Sequence, residues 1–284
     1  MLIAQDWKDY RLLDMADGEK LEQWGKITLI RPDPQVIWKK KANPDLWKNA
    51  DAHYFRSRSG GGHWEYNRTI PESWDIRYKD LRFNIKPMGF KHTGLFPEQA
   101  VNWDFMMDKI QKAGGKPRVL NLFAYTGGAT VACLAAGASV CHVDASKGMV
   151  ARAKENAALS GLAGASQRYI VDDCVKFCER ELRRGNRYDA IIMDPPSYGR
   201  GTNGEVWTFE DKIFDLVTLC AKLLSEKPLF FLINGYTTGI SATVLENLLK
   251  VTLPKGTVTS GEIGLRAESS RLILPCGIYG RWER

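Results

Sequence analysis

The chain has 284 residues, enough for one large domain or two unequal ones. With 44% hydrophobic and 26% charged residues it has the composition of a globular protein, and no apolar run approaches the ~20 residues of a membrane span. The net charge of +7 favours a polyanionic partner such as RNA, although a merely solvated basic surface accounts for it too. The amino terminus lacks the basic segment and apolar core of a signal peptide, so a cytoplasmic setting is expected. Six cysteines, at 133, 141, 174, 178, 220 and 276, match neither a zinc ribbon nor a disulfide framework. Reduced thiols and no metal site are expected.

Residues 1–90 read as a small, mainly β domain. Trp7, Trp24, Trp38, Trp47, Trp64 and Trp74 fall there, among short segments broken by Pro, Gly and Asp. Residues 26–31 and 35–39 read as strands around the turn Pro32-Asp-Pro34. Residues 81–86 alternate with the period of a half-buried strand. Residues 91–284 form the second expected domain. Residues 98–112 carry apolar side chains at helical spacing and stop at Gly114-Gly115. Strands are then expected at 118–123, 140–144, 167–171, 188–194 and 228–234. Helices at 129–136, 149–159, 175–183, 211–224 and 242–250 alternate with them, and two late strands follow near 257–264 and 271–279. Five β-α repeats with short Gly turns imply a parallel, doubly wound α/β sheet.

Ligands of such sheets sit at the carboxyl ends of the strands, where strand order reverses. The first strand runs into Ala124-Tyr-Thr-Gly-Gly128, whose Gly127 and Gly128 let the backbone approach a ligand. The helix start behind them offers N–H groups and a positive dipole end suited to a carboxylate. A plain Gly turn packing a helix on the sheet reads equally well. Asp144 ends the second strand, where a carboxylate can accept from both ribose hydroxyls; Asp144 or Ser146 can equally cap the next helix. Asp172-Asp173 ends the third strand, with an adenine amino group or a helix cap as its two readings. Asp194-Pro-Pro-Ser-Tyr198 ends the fourth. Its prolines lack N–H groups and stiffen the turn, giving an acceptor-rich cleft of carboxylate and bare carbonyls for an amine or polar base edge. Tyr198 is placed to stack on a flipped base. Asp194, Pro195, Pro196 and Tyr198 are therefore the candidate catalytic residues.

Together these segments resemble the class I S-adenosylmethionine-dependent methyltransferases, and more narrowly the bacterial branch that modifies bases of large-subunit ribosomal RNA. The resemblance spans roughly residue 90 to 284. It rests on Lys91-His-Thr-Gly94 with Gln99, Asn121-Leu-Phe-Ala-Tyr-Thr-Gly-Gly128, Val143-Asp-Ala-Ser146 with Lys154-Glu-Asn156, Asp172-Asp173 and Asp194-Pro-Pro-Ser197. It implies a seven-stranded Rossmann-like sheet ending in an antiparallel edge hairpin, S-adenosylmethionine as cofactor and RNA, ribosomal in kind, as substrate. It also implies that Asn121, Phe123, Ala124, Tyr125, Thr126, Gly127 and Gly128 hold the methionine portion. Asp144, Ala145 and Ser146 would meet the ribose, and Asp173 or Asp172 the adenine. Thr93 and Gln99 would cover the cofactor, Asp194 would also reach it, and the β-rich first domain would help grip RNA.

Two departures qualify the resemblance. The usual first motif is an acidic residue followed by alternating glycines. Here Asn121, Phe123 and Tyr125 occupy its first three points and only Gly127 remains. Enzymes that methylate cytosine carbon-5 use a cysteine nucleophile after the fourth or fifth strand. This chain has none there, so direct methylation of a base nitrogen is expected. Two other segments are notable. Arg56-Ser-Arg-Ser-Gly-Gly-Gly-His-Trp64, flanked by aromatics, reads as a phosphate-contacting or simply solvated loop, and residues 199–204 as a mobile substrate-side lid. Competing readings are the same fold acting on DNA, protein or a small molecule, and a non-catalytic RNA-binding protein. A nicotinamide oxidoreductase is disfavoured, because Gly-x-Gly-x-x-Gly is absent after the first strand.

Overall fold

The computed structural model describes residues 1–57, 61–89, 91–200 and 206–284, with the backbone alone at Arg200. The segments Arg58-Ser-Gly60 of the basic loop and 201–204 of the expected lid lie outside the described residues. The chain divides into two compact units. One comprises Ile3–Ala100 and Gly264–Cys276, the other Met1–Leu2, Val101–Ile263 and Gly277–Arg284. The division falls ten residues beyond residue 90 and assigns the tip of the late hairpin to the amino-terminal unit.

The amino-terminal stretch carries β1 (Leu2–Ile3), β2 (Tyr10–Ala16), β3 (Glu19–Trp24), β4 (Ile27–Pro32), α1 (Pro44–Lys48), β5 (Ala52–Arg56), β6 (Gly62–Tyr66), β7 (Trp74–Tyr78) and β8 (Leu81–Ile85). Strands β2 to β6 form a five-stranded sheet in chain order, and β7 pairs with β8. Asp17 and Gly18 both take positive φ, 54° and 78°, as a tight two-residue hairpin between β2 and β3 demands.

Residues 35–39 are not the expected strand. Asp17 and Gly18 donate to the carbonyls of Trp38 and Val36, and the chain then turns toward the buried carboxylate of Asp14. That carboxylate accepts from the backbone N–H groups of Ala42 and Asn43 and the indole of Trp47. A buried anion that draws these three donors from one stretch, besides Met15 N–H, pulls the segment off any ladder into α1.

Glu22 is a second buried carboxylate, paired with Arg31 at 2.6 Å and accepting from the Tyr10 hydroxyl at 2.8 Å. Burial alone would raise its pKa, yet Arg31 and Lys20 hold it down at about 2. Since the folded value lies below the ordinary 4.5, the pair's stabilisation is complete above that pH and is lost as pH falls toward 2. Urea unfolding of the wild type should weaken steadily between about pH 4.5 and about pH 2, and Glu22→Gln should flatten that slope. An unchanged slope in the variant would refute this assignment.

The second unit is built on α2 (Ala100–Ala113), β9 (Arg118–Leu122), α3 (Gly128–Ala135), β10 (Ser139–Asp144), α4 (Lys147–Leu159), β11 (Gln167–Val171), α5 (Cys174–Arg183) and β12 (Ala190–Met193). It continues through β13 (Tyr198–Arg200), β14 (Val206–Thr208), α6 (Phe209–Ala221), β15 (Phe230–Gly235), α7 (Ala242–Thr252), β16 (Thr257–Arg266) and β17 (Ile273–Glu283). The main sheet has the order β1-β16-β17-β15-β12-β9-β10-β11. The five neighbouring strands β15-β12-β9-β10-β11 are parallel, and β17 runs antiparallel beside β15. These are the seven expected strands of a doubly wound α/β fold, joined at the edge by the two-residue β1.

Strands β12 and β15 are buried along their whole length, as covered parallel strands must be. Leu120, Leu122, Val143, Ile191, Met193 and Phe231 face α5, α6 and α7, where Phe177, Leu216, Val217 and Leu245 close the core. On the other face Phe105 of α2 meets Phe230 edge-on, and α3 and α4 cover β9, β10 and β11. Among the described residues no helix is long and apolar enough to cross a membrane, and no cluster of His, Cys, Asp or Glu is arranged to hold a metal.

Candidate active site

Strand order reverses at β9. The chain steps outward to β10 and β11, then returns to the other flank of β9 as β12 and β15. In open α/β sheets the loops on either side of such a point diverge, and ligands bind there at the carboxyl edge. The register sets the strand ends level. Met193 lies opposite Leu122, Leu122 opposite Val143, and Val143 opposite Ile170. Asp194, Phe123, Asp144 and Val171 are each the next residue, with Asp172-Asp173 just beyond. The four strand ends singled out in the sequence thus share one edge.

The turn after β9 is held from several sides. Ala124 N–H donates to the Val143 carbonyl at 3.1 Å and Tyr125 N–H to Asp144 Oδ2 at 2.8 Å. Asn156 of α4 donates its amide to the Thr126 carbonyl at 2.8 Å, and Phe123 N–H points at Cys174 Sγ, 3.3 Å away. Phe123, Tyr125 and Gly127 have φ of 52°, 49° and 82°. The first two stand where the common motif has glycine, and the backbone keeps the left-handed shape a glycine would take. That costs ~1–2 kcal/mol at each non-glycine residue, which the surrounding bonds must offset.

At Gly127 and Gly128 no larger residue fits. An added Cβ would come within 2.8 Å of Ala153 Cβ or of the Trp103 ring, respectively. Helix α3 begins with Gly127 as a cap that has no side chain to accept from the first turn. Its leading N–H groups are therefore suited to an anion such as the methionine carboxylate.

Asp144 is braced at both oxygens: Oδ2 by Tyr125 N–H, and Oδ1 by Ser146 N–H at 2.8 Å. The capping role belongs to Ser146, which accepts from Met149 N–H. A carboxylate so fixed retains lone pairs for ribose hydroxyls. Ala145 and Ser146 are exposed beside it. At the third strand end the capping reading holds for Asp173, which accepts from Lys176 N–H at 2.9 Å. Asp172 accepts from Asp173 N–H and pairs with Arg180.

The 194–198 loop departs from expectation in one respect: its carbonyls are not all bare. The Pro196 carbonyl accepts the Trp207 indole N–H at 2.7 Å and the Ser197 carbonyl accepts Phe209 N–H at 3.0 Å. Ser197 Oγ also receives the Thr237 hydroxyl at 2.9 Å. The loop is rigid because it is tied at three points as well as by its prolines. Pro195 is buried, Pro196 exposed, and Tyr198 55% exposed. Gly199 and Arg200, read as the start of a lid, belong to β13, which pairs with β14.

Other candidates are placed differently. Asn121 is only 3% exposed, and its amide donates to Thr130 Oγ1 beneath the turn. Thr130 in turn meets His142 Nδ1 at 2.9 Å. Burial pushes the His142 pKa down to about 3, so that imidazole stays neutral. The Thr126 side chain is buried as well. Thr93 and Gln99 fall in the amino-terminal unit, where both are buried. Cys133, Cys141, Cys174, Cys178 and Cys220 are buried, and none ends β12 or β15. Burial raises Cys141 to about 11 and Cys174 well above its ordinary value, which leaves neither as a thiolate nucleophile. The sequence reading missed Trp207, Trp103 and the thiol of Cys174, all of which shape the turn or the loop.

Known proteins match this arrangement. A crystal structure of an S-adenosylmethionine-dependent methyltransferase from Agrobacterium tumefaciens is 37% identical, with a TM-score of 0.94 over 99% of this chain and 92% of that one. A methyltransferase from Streptococcus mutans shares the fold at 18% identity and a TM-score of 0.78, over 99% of this chain and 76% of its own. A ribosomal RNA large subunit methyltransferase K/L of Shewanella frigidimarina is 36% identical over 146 residues, 51% of this chain and 20% of the relative. The chain spans about one fifth of the length of the curated relatives it matches. Residues 48–247 match the S-adenosylmethionine-dependent methyltransferase family model, which takes in every strand end described above. The chain belongs to that family, and its cofactor is S-adenosylmethionine.

Proposed function

We propose that this methyltransferase acts on RNA, ribosomal RNA in particular, and methylates a base nitrogen without a cysteine nucleophile. The observation that carries the reading is the loop at the end of β12. It carries an acidic side chain, Asp194, and an exposed aromatic one, Tyr198, level with the ends of β9 and β10, and no cysteine follows β12 or β15, where a carbon-5 enzyme has its nucleophile. The net charge of +7 and the likeness to a ribosomal RNA methyltransferase support it. The amino-terminal unit would contribute to holding the RNA, and a cytoplasmic setting follows from the substrate.

Bound S-adenosylmethionine supplies an electrophilic methyl group on a sulfonium. The α3 N-terminus binds the carboxylate, Asp144 accepts from the ribose hydroxyls, and Asp173 or Asp172 accepts from the adenine amino group. Tyr198 stacks on the target base. Asp194 accepts from its N–H, aims the nitrogen lone pair, and takes or relays the proton released. Most of the acceleration comes from alignment, since the sulfonium is already a reactive donor.

Labelled methyl transfer from S-adenosylmethionine to total RNA, DNA and protein extracts tests the substrate class. Label in RNA alone, recovered as an N-methylated nucleoside, is expected. Label confined to DNA or protein would refute the RNA assignment, and a 5-methylcytosine product would refute the nitrogen mechanism.

A further inference from the structure

We infer that Trp207 is a positioning residue that couples the cofactor turn to the 194–198 loop, an inference that rests on the assignment of that loop as the acceptor side of the site. Trp207 lies in β14, opposite Gly199 of β13. Its indole N–H donates to the Pro196 carbonyl at 2.7 Å. Its ring sits 5.4 Å from the ring of Phe123, tilted at 49°. One side chain therefore touches both the turn that leaves β9 and the loop that leaves β12.

Both contacts fall on strained or stiffened backbone. Phe123 is held at φ 52°, a conformation that persists only while its surroundings enforce it. On the other side, Pro196 lies two residues before Tyr198, so a shift of its carbonyl re-aims the exposed ring. Opposite Trp207 stands Gly199, where an added Cβ would meet Trp207 Cβ and Pro196 Cγ at 3.8 Å. The hairpin thus lies close over the loop. A cofactor that seats the 123–128 turn thereby also fixes where the acceptor is presented.

Two substitutions separate the two contacts. Trp207→Phe keeps a ring against Phe123 and removes the N–H; Trp207→Ala removes both. Calorimetry with S-adenosylhomocysteine should show the Phe variant binding within about twofold of wild type and the Ala variant about tenfold more weakly. On the extract that the wild-type enzyme labels, the Phe variant should lose about tenfold or more in kcat with KM for S-adenosylmethionine unchanged, the cost of leaving the Pro196 carbonyl unbonded and the loop loose.

Full kcat in the Phe variant, or wild-type cofactor affinity in the Ala variant, would overturn the inference. So would a Phe variant that loses thermal stability and cofactor affinity together, because that is the signature of scaffolding alone. Asp194→Ala run in parallel keeps the two levels apart. If it stays active, the reading of the loop fails. If it is inactive while Trp207→Phe is fully active, only the coupling fails.

Discussion

Asp194→Ala is expected to lower kcat by about 10²–10³-fold while S-adenosylhomocysteine affinity stays within about threefold of wild type. Asp194 follows β12 directly, level in register with Phe123 and Asp144. Two of the next three carbonyls are already taken by Trp207 and Phe209. The prolines at 195 and 196 offer no N–H. Asp194 carries the one charged side chain of this loop, and a carboxylate is a stronger acceptor for a target amine than a carbonyl. Removing it gives up a hydrogen bond to a charged group, worth about 1.5–3 kcal/mol, and the alignment that bond enforces. Asp194→Asn keeps an acceptor oxygen without the charge and should retain part of the rate. Methyl-transfer kinetics on the labelled substrate with calorimetry alongside give both numbers. Unaltered kcat in the alanine variant would remove Asp194 from the chemistry, and a matching collapse of cofactor affinity would move it to the cofactor side.

The parallel sheet was legible because its signals are local. Strands β9, β10, β12 and β15 are apolar runs bounded by Gly turns, and the helices between them show their own periodicity. The positions of Asp144, the last residue of β10, and of Asp194, the residue after β12, were legible for the same reason, since topology fixes where a strand end lies.

The parts that failed depend on partners distant in sequence. Residues 35–39 look like a strand, and only Asp14, some thirty positions from the donors it draws in, explains why they are not one. The carbonyls of the 194–198 loop look bare until a tryptophan eleven residues on donates to Pro196. Asn121 sits at a motif position yet turns its amide inward, because Thr130 and His142 form a buried polar chain there that must be satisfied. The substitution of Phe123 and Tyr125 for the usual glycines shows the converse. The side chains changed, while the backbone conformation that the turn needs stayed.

That retained conformation makes Asp144 the residue whose loss should damage cofactor binding most. Its two oxygens hold the N–H of Tyr125, inside the strained turn, and of Ser146, at the head of α4. Charge-assisted bonds of this kind contribute about 1.5–3 kcal/mol each. Without them the left-handed backbone at Phe123 and Tyr125 has less to enforce it, and the acceptor for the ribose disappears in the same step. Asp144→Ala should therefore weaken S-adenosylhomocysteine by about a hundredfold or more and lower stability by ~1–3 kcal/mol. Asp144→Asn should fall between, because its amide can accept at one oxygen but must turn a donor toward the other N–H. The contrast with Asp194 is the discriminating result. At saturating S-adenosylmethionine the Asp144 variants should recover much of kcat, since they lose binding, whereas Asp194→Ala should recover none. Wild-type affinity in Asp144→Ala, measured by calorimetry, would mean that the ribose is gripped elsewhere and that the carboxylate serves only to tie the turn to the second strand.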